Sequence, residues 1–239
     1  MAGAVTTVTA YARRFGLAYF VLAAVVGAAV GTTIVLLGRA GPDRSPWSQW
    51  QPTSPVQFRP KEIANRIATA YRLSNGRPLV DVVTGSPFQS EVTEIATPAI
   101  GTGLGSDTPI YDPSRTRMFV LCGAGKNCSL TGTPTVARTQ LLRREALELA
   151  LYTFKYVDTD GVVEFLPGSA KTRPNLALFF RRNEVKPFLS HPLEKTLPPA
   201  KQSSTAAARR VDQLTLTHMY RFALQPSQGG GGLLVLDRG

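Results

Sequence analysis

The sequence predicts an α+β protein, with α/β as the alternative, in which a single soluble domain follows one N-terminal transmembrane helix. Three observations predict this class: a long uncharged apolar run near the N-terminus, helical and alternating apolar patterns mixed along the rest, and no internal repeat. We expect a mixed sheet and two main helices in the domain. The predicted segments are a short cytoplasmic tail at 1–14, a transmembrane helix at 15–38, a Pro-rich linker at 39–60 and an extracytoplasmic domain at 61–239.

The apolar run between Arg14 and Arg39 contains no charged residue over 24 positions. As a helix it would be about 36 Å long, which is enough to cross a hydrocarbon core of about 30 Å. A cleaved signal peptide has an apolar region of only about 7–15 residues, followed by a small-residue cleavage site. The sequence therefore predicts an uncleaved signal anchor in the plasma membrane, with the N-terminus in the cytoplasm and the domain outside.

Small residues recur at every fourth position within this run, at Ala23, Gly27 and Gly31. Such spacing lets two helix backbones approach each other closely. It predicts a helix-packing face for a homodimer or for docking on another membrane protein. The alternative is a single helix surrounded by lipid.

The linker at 39–60 contains five prolines, which prevent helix formation and favour an extended, semi-rigid chain. Trp47 and Trp50 interrupt this composition. Indole rings are common at the bilayer interface, and they also pack well against other aromatic side chains. The sequence leaves both locations open for these two residues.

The domain begins with a helix and contains a second, longer one. An apolar stripe at Ile63, Ile67 and Tyr71 predicts a helix from Pro60, and a run of good helix formers predicts a central helix at 134–156. The remaining predicted elements are strands at 79–83, 118–122, 162–166 and 176–181, a C-terminal hairpin from 216 to 236, and irregular chain at 97–116 and 183–210.

The two cysteines, Cys122 and Cys128, are separated by five residues, two of which are glycine. A loop of this length and composition can bring the two sulfur atoms together, so we predict a disulfide. Such a bond fits an oxidising compartment, and it favours the extracytoplasmic side for the domain. The alternative is two reduced, buried thiols. Two cysteines and two histidines do not form a convincing zinc site, and we expect no metal ion.

Three sequence patterns that can indicate ligand binding or catalysis do not match the motifs they resemble. The glycines at 101, 103 and 105 have the wrong spacing for a dinucleotide-binding loop, and no helix pattern follows them. Residues 158–161 resemble only part of a calcium loop, so a turn is expected there. The C-x5-C spacing is not that of a disulfide oxidoreductase. We therefore expect no cofactor and no catalytic set.

Two other pairs of side chains are candidates for catalysis. His191 lies in a loop-like segment and His218 on a predicted apolar strand face, and neither has an evident acid partner. Asp81 and Glu164 lie in predicted strands, where two solvent-facing residues are the simpler interpretation than a paired-carboxylate hydrolase site.

The formal charge of +11 attracts anionic partners. No nucleic-acid recognition motif occurs, so the candidate partners are a protein, an anionic lipid or an anionic polymer, in addition to the membrane itself. The sequence predicts a single-pass membrane-anchored extracytoplasmic module of the cell envelope that binds or assembles and is not an enzyme. The alternative is a membrane-anchored envelope hydrolase.

Overall fold

The computed structural model of the chain describes residues 46–73, 75–84, 91–101, 104–105, 107–133, 135–168, 175–197, 205–227 and 229–238. The predicted tail and transmembrane helix, with Ala23, Gly27 and Gly31, lie outside the described residues, as does the linker up to residue 45. Within the described ranges, no helix combines the length and apolar character needed to cross a membrane.

The described residues form one mixed sheet of eight strands, which confirms the mixed sheet and the α+β class. The strands are β1 (Asp81–Thr84), β2 (Val92–Ala96), β3 (Ile110–Tyr111), β4 (Thr116–Cys122), β5 (Gly161–Phe165), β6 (Leu176–Arg181), β7 (Met219–Pro226) and β8 (Gly232–Asp237). Their order is β1-β4-β5-β6-β7-β8-β2-β3. The pairs β4–β5 and β2–β8 are parallel, and the other neighbours are antiparallel. The predicted C-terminal hairpin is β7–β8.

Five helices are described rather than two. They are α1 (Arg59–Ala70), α2 (Val136–Tyr156), α3 (Arg182–Leu189), α4 (Leu193–Thr196) and α5 (Thr205–Thr215). The first two correspond to the predicted helices, and the Thr135 hydroxyl caps α2 by accepting a hydrogen bond from the Arg138 backbone N–H at 3.2 Å.

The prediction of irregular chain at 183–210 is wrong, because α3, α4 and the start of α5 occupy it. The Glu184 carboxylate accepts a hydrogen bond from the Arg181 backbone N–H at 3.0 Å, and this cap starts α3 in spite of Pro187. The prolines in this region hid the helical signal. The predicted loop at 97–116 likewise contains β3 and the beginning of β4.

The two faces of the sheet are both covered. On one face, Phe119, Val162 and Phe180 pack with residues of α1 and α2 in the main core. On the other face, Met118, Val163 and Phe179 belong to a second cluster that also includes Ile95 of β2 and Leu234 of β8. Because β4 and β2 stand far apart in the strand order, the sheet must curve strongly around this second cluster. The short connection between β3 and β4, residues 112–115, requires the same curvature.

Both tryptophans pack against the helical layer, which decides between the two locations that the sequence leaves open. Trp47 is 9% exposed, and its ring lies edge-on to that of Tyr152 at 5.0 Å between centroids. Its indole N–H donates to the Phe188 carbonyl at 3.2 Å. The Trp50 ring lies 5.4 Å from the same Tyr152. The described part of the predicted linker therefore lies against the domain.

The predicted disulfide between Cys122 and Cys128 is present in the structure. It closes a tight loop at the end of β4, in which the Gly123 backbone N–H donates to the Cys128 carbonyl at 2.9 Å. A Cβ at Gly123 would overlap the Ser129 carbonyl, so the close backbone approach requires glycine there. Asn127 and Cys128 both have positive φ, at 52° and 58°.

Candidate functional site: an arginine-lined cleft at the open end of the sheet

Several strand ends meet at one end of the curved sheet. The strand pairing places the ends of β2, β6 and β8 beside the starts of β3 and β7. A cavity of about 820 Å³ opens at this end, and we call it the main cleft. Residues from the strand ends and from the loop between β2 and β3, including Gly105 and Thr108, form its walls. The glycine-rich segment thus contributes a cleft wall, and its described part is a turn in which the Gly105 N–H donates to the Thr108 hydroxyl at 2.9 Å.

Three aromatic rings form the base of the main cleft. Phe179, on the inner face of β6, has its ring centroid 5.3 Å from that of Tyr111 and 6.2 Å from that of Tyr220. Phe179 is 2% exposed, so the second core cluster supports this base from below. The base offers an apolar surface with two phenol hydroxyls at its edges.

Arg181 stands at the end of β6 and lines the main cleft. One guanidinium N–H donates to the Tyr111 hydroxyl at 3.0 Å, and Nε donates to the Glu184 carboxylate at 3.0 Å. The hydrogen bond with Glu184 raises the pKa of the Arg181 guanidinium above its ordinary value. The side chain is therefore a permanently charged group whose direction is set by Tyr111 and Glu184.

Arg238 directly follows β8 and supplies a second cation to the same cleft. It donates to the Tyr220 hydroxyl at 2.7 Å, and its guanidinium carbon lies 5.0 Å from the centre of the Tyr220 ring. Each arginine of the cleft thus lies against its own tyrosine. This arrangement reduces the number of conformations that each guanidinium loses when an anion binds.

A neighbouring cleft of about 570 Å³ shares Tyr111, Phe179 and Arg181 with the main cleft. In its lining, Arg115 and Asp160 form a two-point ion pair at 2.7 and 3.0 Å, and Asp112, Arg182 and Lys186 are also present. The hydrogen bond from Arg115 lowers the pKa of the Asp160 carboxyl. Both clefts therefore carry cationic side chains; the main cleft, where Asp107 also forms part of the wall, differs in having two guanidinium groups that are each bonded to a tyrosine hydroxyl.

The two histidines do not line either cleft. The prediction that His218 lies on a strand is wrong, because it belongs to the 3₁₀ turn Leu216–His218 before β7. Its Nδ1 lies 3.7 Å from a Glu184 carboxylate oxygen, and burial lowers its pKa. His191 is exposed in the turn between α3 and α4.

The two strand carboxylates occupy very different surroundings. Asp81 is exposed, as expected, but the solvent-facing position predicted for Glu164 is wrong, because this residue is 0% exposed beneath α2. The helical layer covers the face of β5 that would otherwise meet water. Its neighbour is Glu145 of α2, which is also 0% exposed, and no carboxylate oxygen of either residue has a hydrogen-bond partner among the described residues.

Burial raises the pKa of Glu145 to about 9, and the charges of Glu148 and Asp81 add to this shift. Burial also raises the pKa of Glu164 well above its ordinary value, with a further contribution from Glu145. Glu145 is therefore neutral at pH 7, and burial favours the neutral form of Glu164 as well. Neither residue lines one of the two clefts. Of the two carboxylates considered for a paired-carboxylate site, Asp81 is exposed and Glu164 is enclosed, and neither lines one of the two clefts.

The residues of the main cleft were missed at the sequence level. Arg181 and Arg238 are 57 positions apart, and only the return of β7 and β8 brings their strand ends together. The available signal was an arginine at the end of each apolar strand. Among the described residues, no group of three or more His, Cys, Asp or Glu side chains could hold a metal ion.

No protein-family model, curated protein or solved structure matches this chain. Its function is therefore inferred from the side chains themselves.

Proposed function

We propose that the chain is a single-pass membrane-anchored extracytoplasmic module of the cell envelope, and that it binds a partner rather than catalysing a reaction. The main cleft is its binding site, and the partner presents an anionic group there. The observation that carries this proposal is the pair Arg181 and Arg238, each bonded to a tyrosine hydroxyl beside the ring of Phe179.

This arrangement suits an anionic group attached to an apolar body. A guanidinium recognises carboxylate or phosphate through parallel N–H donors. The aromatic base supplies apolar contact area next to those donors. A protein segment with an acidic residue beside an aromatic or aliphatic one has this chemistry, and so does an anionic envelope polymer.

Two features support the location outside the membrane. The uncharged run at 15–38 has the length of a membrane span. The Cys122–Cys128 disulfide is of a kind that persists in oxidising compartments and is rare in the cytoplasm. Together they favour a domain held on the outer side of the plasma membrane.

Site-specific photocrosslinking in the host cell tests the binding site. A photoreactive amino acid at Ile100, a cleft residue that is 71% exposed, is expected to capture a discrete partner. The matched control is the same amino acid at Val136, which is 76% exposed at the start of α2 and should capture nothing specific. Arg238→Glu should abolish the Ile100 product. A product that persists in Arg238→Glu, or that is equal at both positions, would contradict the proposal.

The hydrolase alternative has one observation in its favour, the approach of His218 to Glu184, which in turn binds the cleft residue Arg181. Turnover of an envelope ester, peptide or glycan by the purified chain, lost in His218→Gln, would establish it. Absence of turnover together with a cleft-dependent crosslink would favour the binding module.

A further inference from the structure

The segment that precedes α1 lies against one end of the helical layer, around Tyr156. The Trp47 ring centroid lies 5.9 Å from that of Tyr156. Arg59 donates to the Tyr156 carbonyl at 3.1 Å, so the start of α1 reaches the same point. Lys155 Nζ lies 5.7 Å from the centre of the Trp47 ring. The described chain therefore begins, at Pro46, beside the C-terminal end of α2.

Two large apolar side chains are exposed at this end. Val56 and Phe58, in the 3₁₀ turn Val56–Phe58, are 56% and 58% exposed. Three exposed lysines lie on the helices that meet near this end, α1, α2 and α4, and Lys155 Nζ donates to the Leu189 carbonyl at 3.0 Å. We call this surface the tether face; its residues are Val56, Phe58, Lys61, Lys155 and Lys195.

The placement of Lys195 follows from the linker contacts, because the Leu193 N–H at the start of α4 donates to the Trp47 carbonyl at 2.7 Å. Two carboxylates near these lysines, those of Glu62 and Glu194, already have hydrogen-bond partners. Glu62 accepts hydrogen bonds from the backbone N–H groups of Thr53 and Ser54 at 3.0 and 2.8 Å, and the Glu194 carboxylate lies 3.5 Å from the Gln49 amide nitrogen. The lysines outnumber these carboxylates, so the face is basic as well as apolar.

The length of chain before Pro46 limits how far this face can be from the predicted membrane segment. Seven residues, 39–45, separate that segment from Pro46. Whatever conformation they adopt, a chain of this length spans at most about 25 Å. The docked residues 46–58 cannot add to this reach without breaking the contacts of Trp47.

We propose that the tether face rests on the surface of an anionic lipid bilayer, an inference that depends on the membrane anchor in the proposed function. Val56 and Phe58 enter the headgroup region, where exposed apolar side chains gain from leaving water. Lys61, Lys155 and Lys195 interact with anionic headgroups. The domain is then held in one orientation on the membrane instead of turning freely on its tether.

The two tryptophans give an intrinsic test, because they are the only ones in the chain and both lie beside the tether face. The full-length chain is placed in nanodiscs whose lipids carry bromine on their acyl chains, which quenches nearby indole fluorescence. We expect quenching to be at least about twofold stronger in brominated phosphatidylglycerol than in brominated phosphatidylcholine. Val56→Ser with Phe58→Ser should remove the difference.

Charge and position controls complete the experiment. Lys61→Glu with Lys195→Glu should also remove the preference for phosphatidylglycerol, and it leaves the apolar pair intact. Val136→Ser, at an even more exposed apolar position at the other end of α2, should leave quenching unchanged. Circular dichroism and a retained disulfide confirm that each variant is folded.

Equal quenching in both lipids, or quenching that is insensitive to both pairs of substitutions, would overturn the proposal. Quenching that appears only in discs with two chains would also overturn it, because the face would then be an interface between copies. A chain that inserts into discs but shows no lipid preference would leave the anchor of the proposed function intact. Failure to insert would contradict the anchor and this inference together.

Discussion

Ionisable side chains are enclosed on the helical side of the sheet and accessible at its open end. Between α2 and β5, Glu145 and Glu164 are fully enclosed, and burial raises the pKa of both carboxyls. At the open end, Arg181 and Arg238 keep their charge and face a cleft. The difference shows where the molecule can meet a charged partner. An enclosed carboxyl affects mainly the stability of the fold, whereas an oriented, accessible guanidinium can contribute to recognition.

The largest expected effect is the pH dependence that the buried carboxyls impose on stability. Burial raises the pKa of Glu145 from 4.5 to about 9, so the folded state holds a proton that the unfolded state releases. The stabilising effect of that proton is fully present below pH 4.5 and is lost progressively as pH rises towards 9. By pH 7 the loss is about 3 kcal/mol.

Chemical denaturation of the detergent-solubilised chain between pH 5 and 8 checks this expectation. Glu145→Leu with Glu164→Leu should flatten the profile and raise the free energy of unfolding at pH 8. Glu91→Gln, which changes an exposed carboxylate, should retain the wild-type slope. A wild-type stability that does not fall over this pH range would mean that the two carboxyls are not buried as described.

The next largest effect is expected from the disulfide loop, which connects the sheet to the helical side. Cys122→Ser with Cys128→Ser should lower the free energy of unfolding by about 2 kcal/mol, because the crosslink restricts a short loop of the unfolded chain. Reduction of the wild-type chain should have a similar effect.

In intact cells, a membrane-impermeant thiol reagent should label the cysteines after reduction. Labelling that requires lysis would place the domain on the cytoplasmic side.

At the open end, we expect a change in binding with little change in stability. Arg238→Gln should alter the free energy of unfolding by less than about 0.5 kcal/mol, since the side chain is exposed. It should weaken partner binding by about 1.5 kcal/mol, close to tenfold, through loss of a charged hydrogen bond. The yield of the Ile100 crosslink measures this effect. Arg221→Gln, an exposed arginine of β7 outside the cleft, should leave the yield unchanged.

The smallest effect is expected at the exposed pair of Arg115 and Asp160. These side chains are 51% and 58% exposed, so solvent and salt screen their attraction. Arg115→Gln should cause no measurable change in unfolding at physiological salt. A clear destabilisation would show that the neighbouring cleft is less accessible to water than the structure indicates, and would weaken the contrast between the two sides.

Local patterns predicted much of the fold. The strand at 176–181 was located to the residue, and the long helix begins at Val136 rather than at 134. Two short strands were missed for physical reasons. β2 pairs in parallel with β8, about 140 positions away along the chain, and β3 has only two residues. Neither carries a periodic signal of its own.

The site was harder to predict than the fold. Glu164 lies in a strand whose residues are all buried, because both faces of the sheet are covered at β5. An isolated strand pattern cannot reveal that a helix lies above it. Arg181 and Arg238 become neighbours of one cleft only through the curvature of the sheet, which depends on pairings distant in sequence.

The parallel pairing of β2 with β8 also determines when the cleft can exist. Residues 92–96 find their partner only at 232–235, near the end of the chain. During synthesis β2, with β3 beside it, must therefore wait for β8 before it can join the rest of the sheet. A chain cut short before β8 would lack Arg238 and leave the inner cluster open to solvent, where proteases could recognise it. The main cleft therefore forms only after β8 and Arg238 have been made.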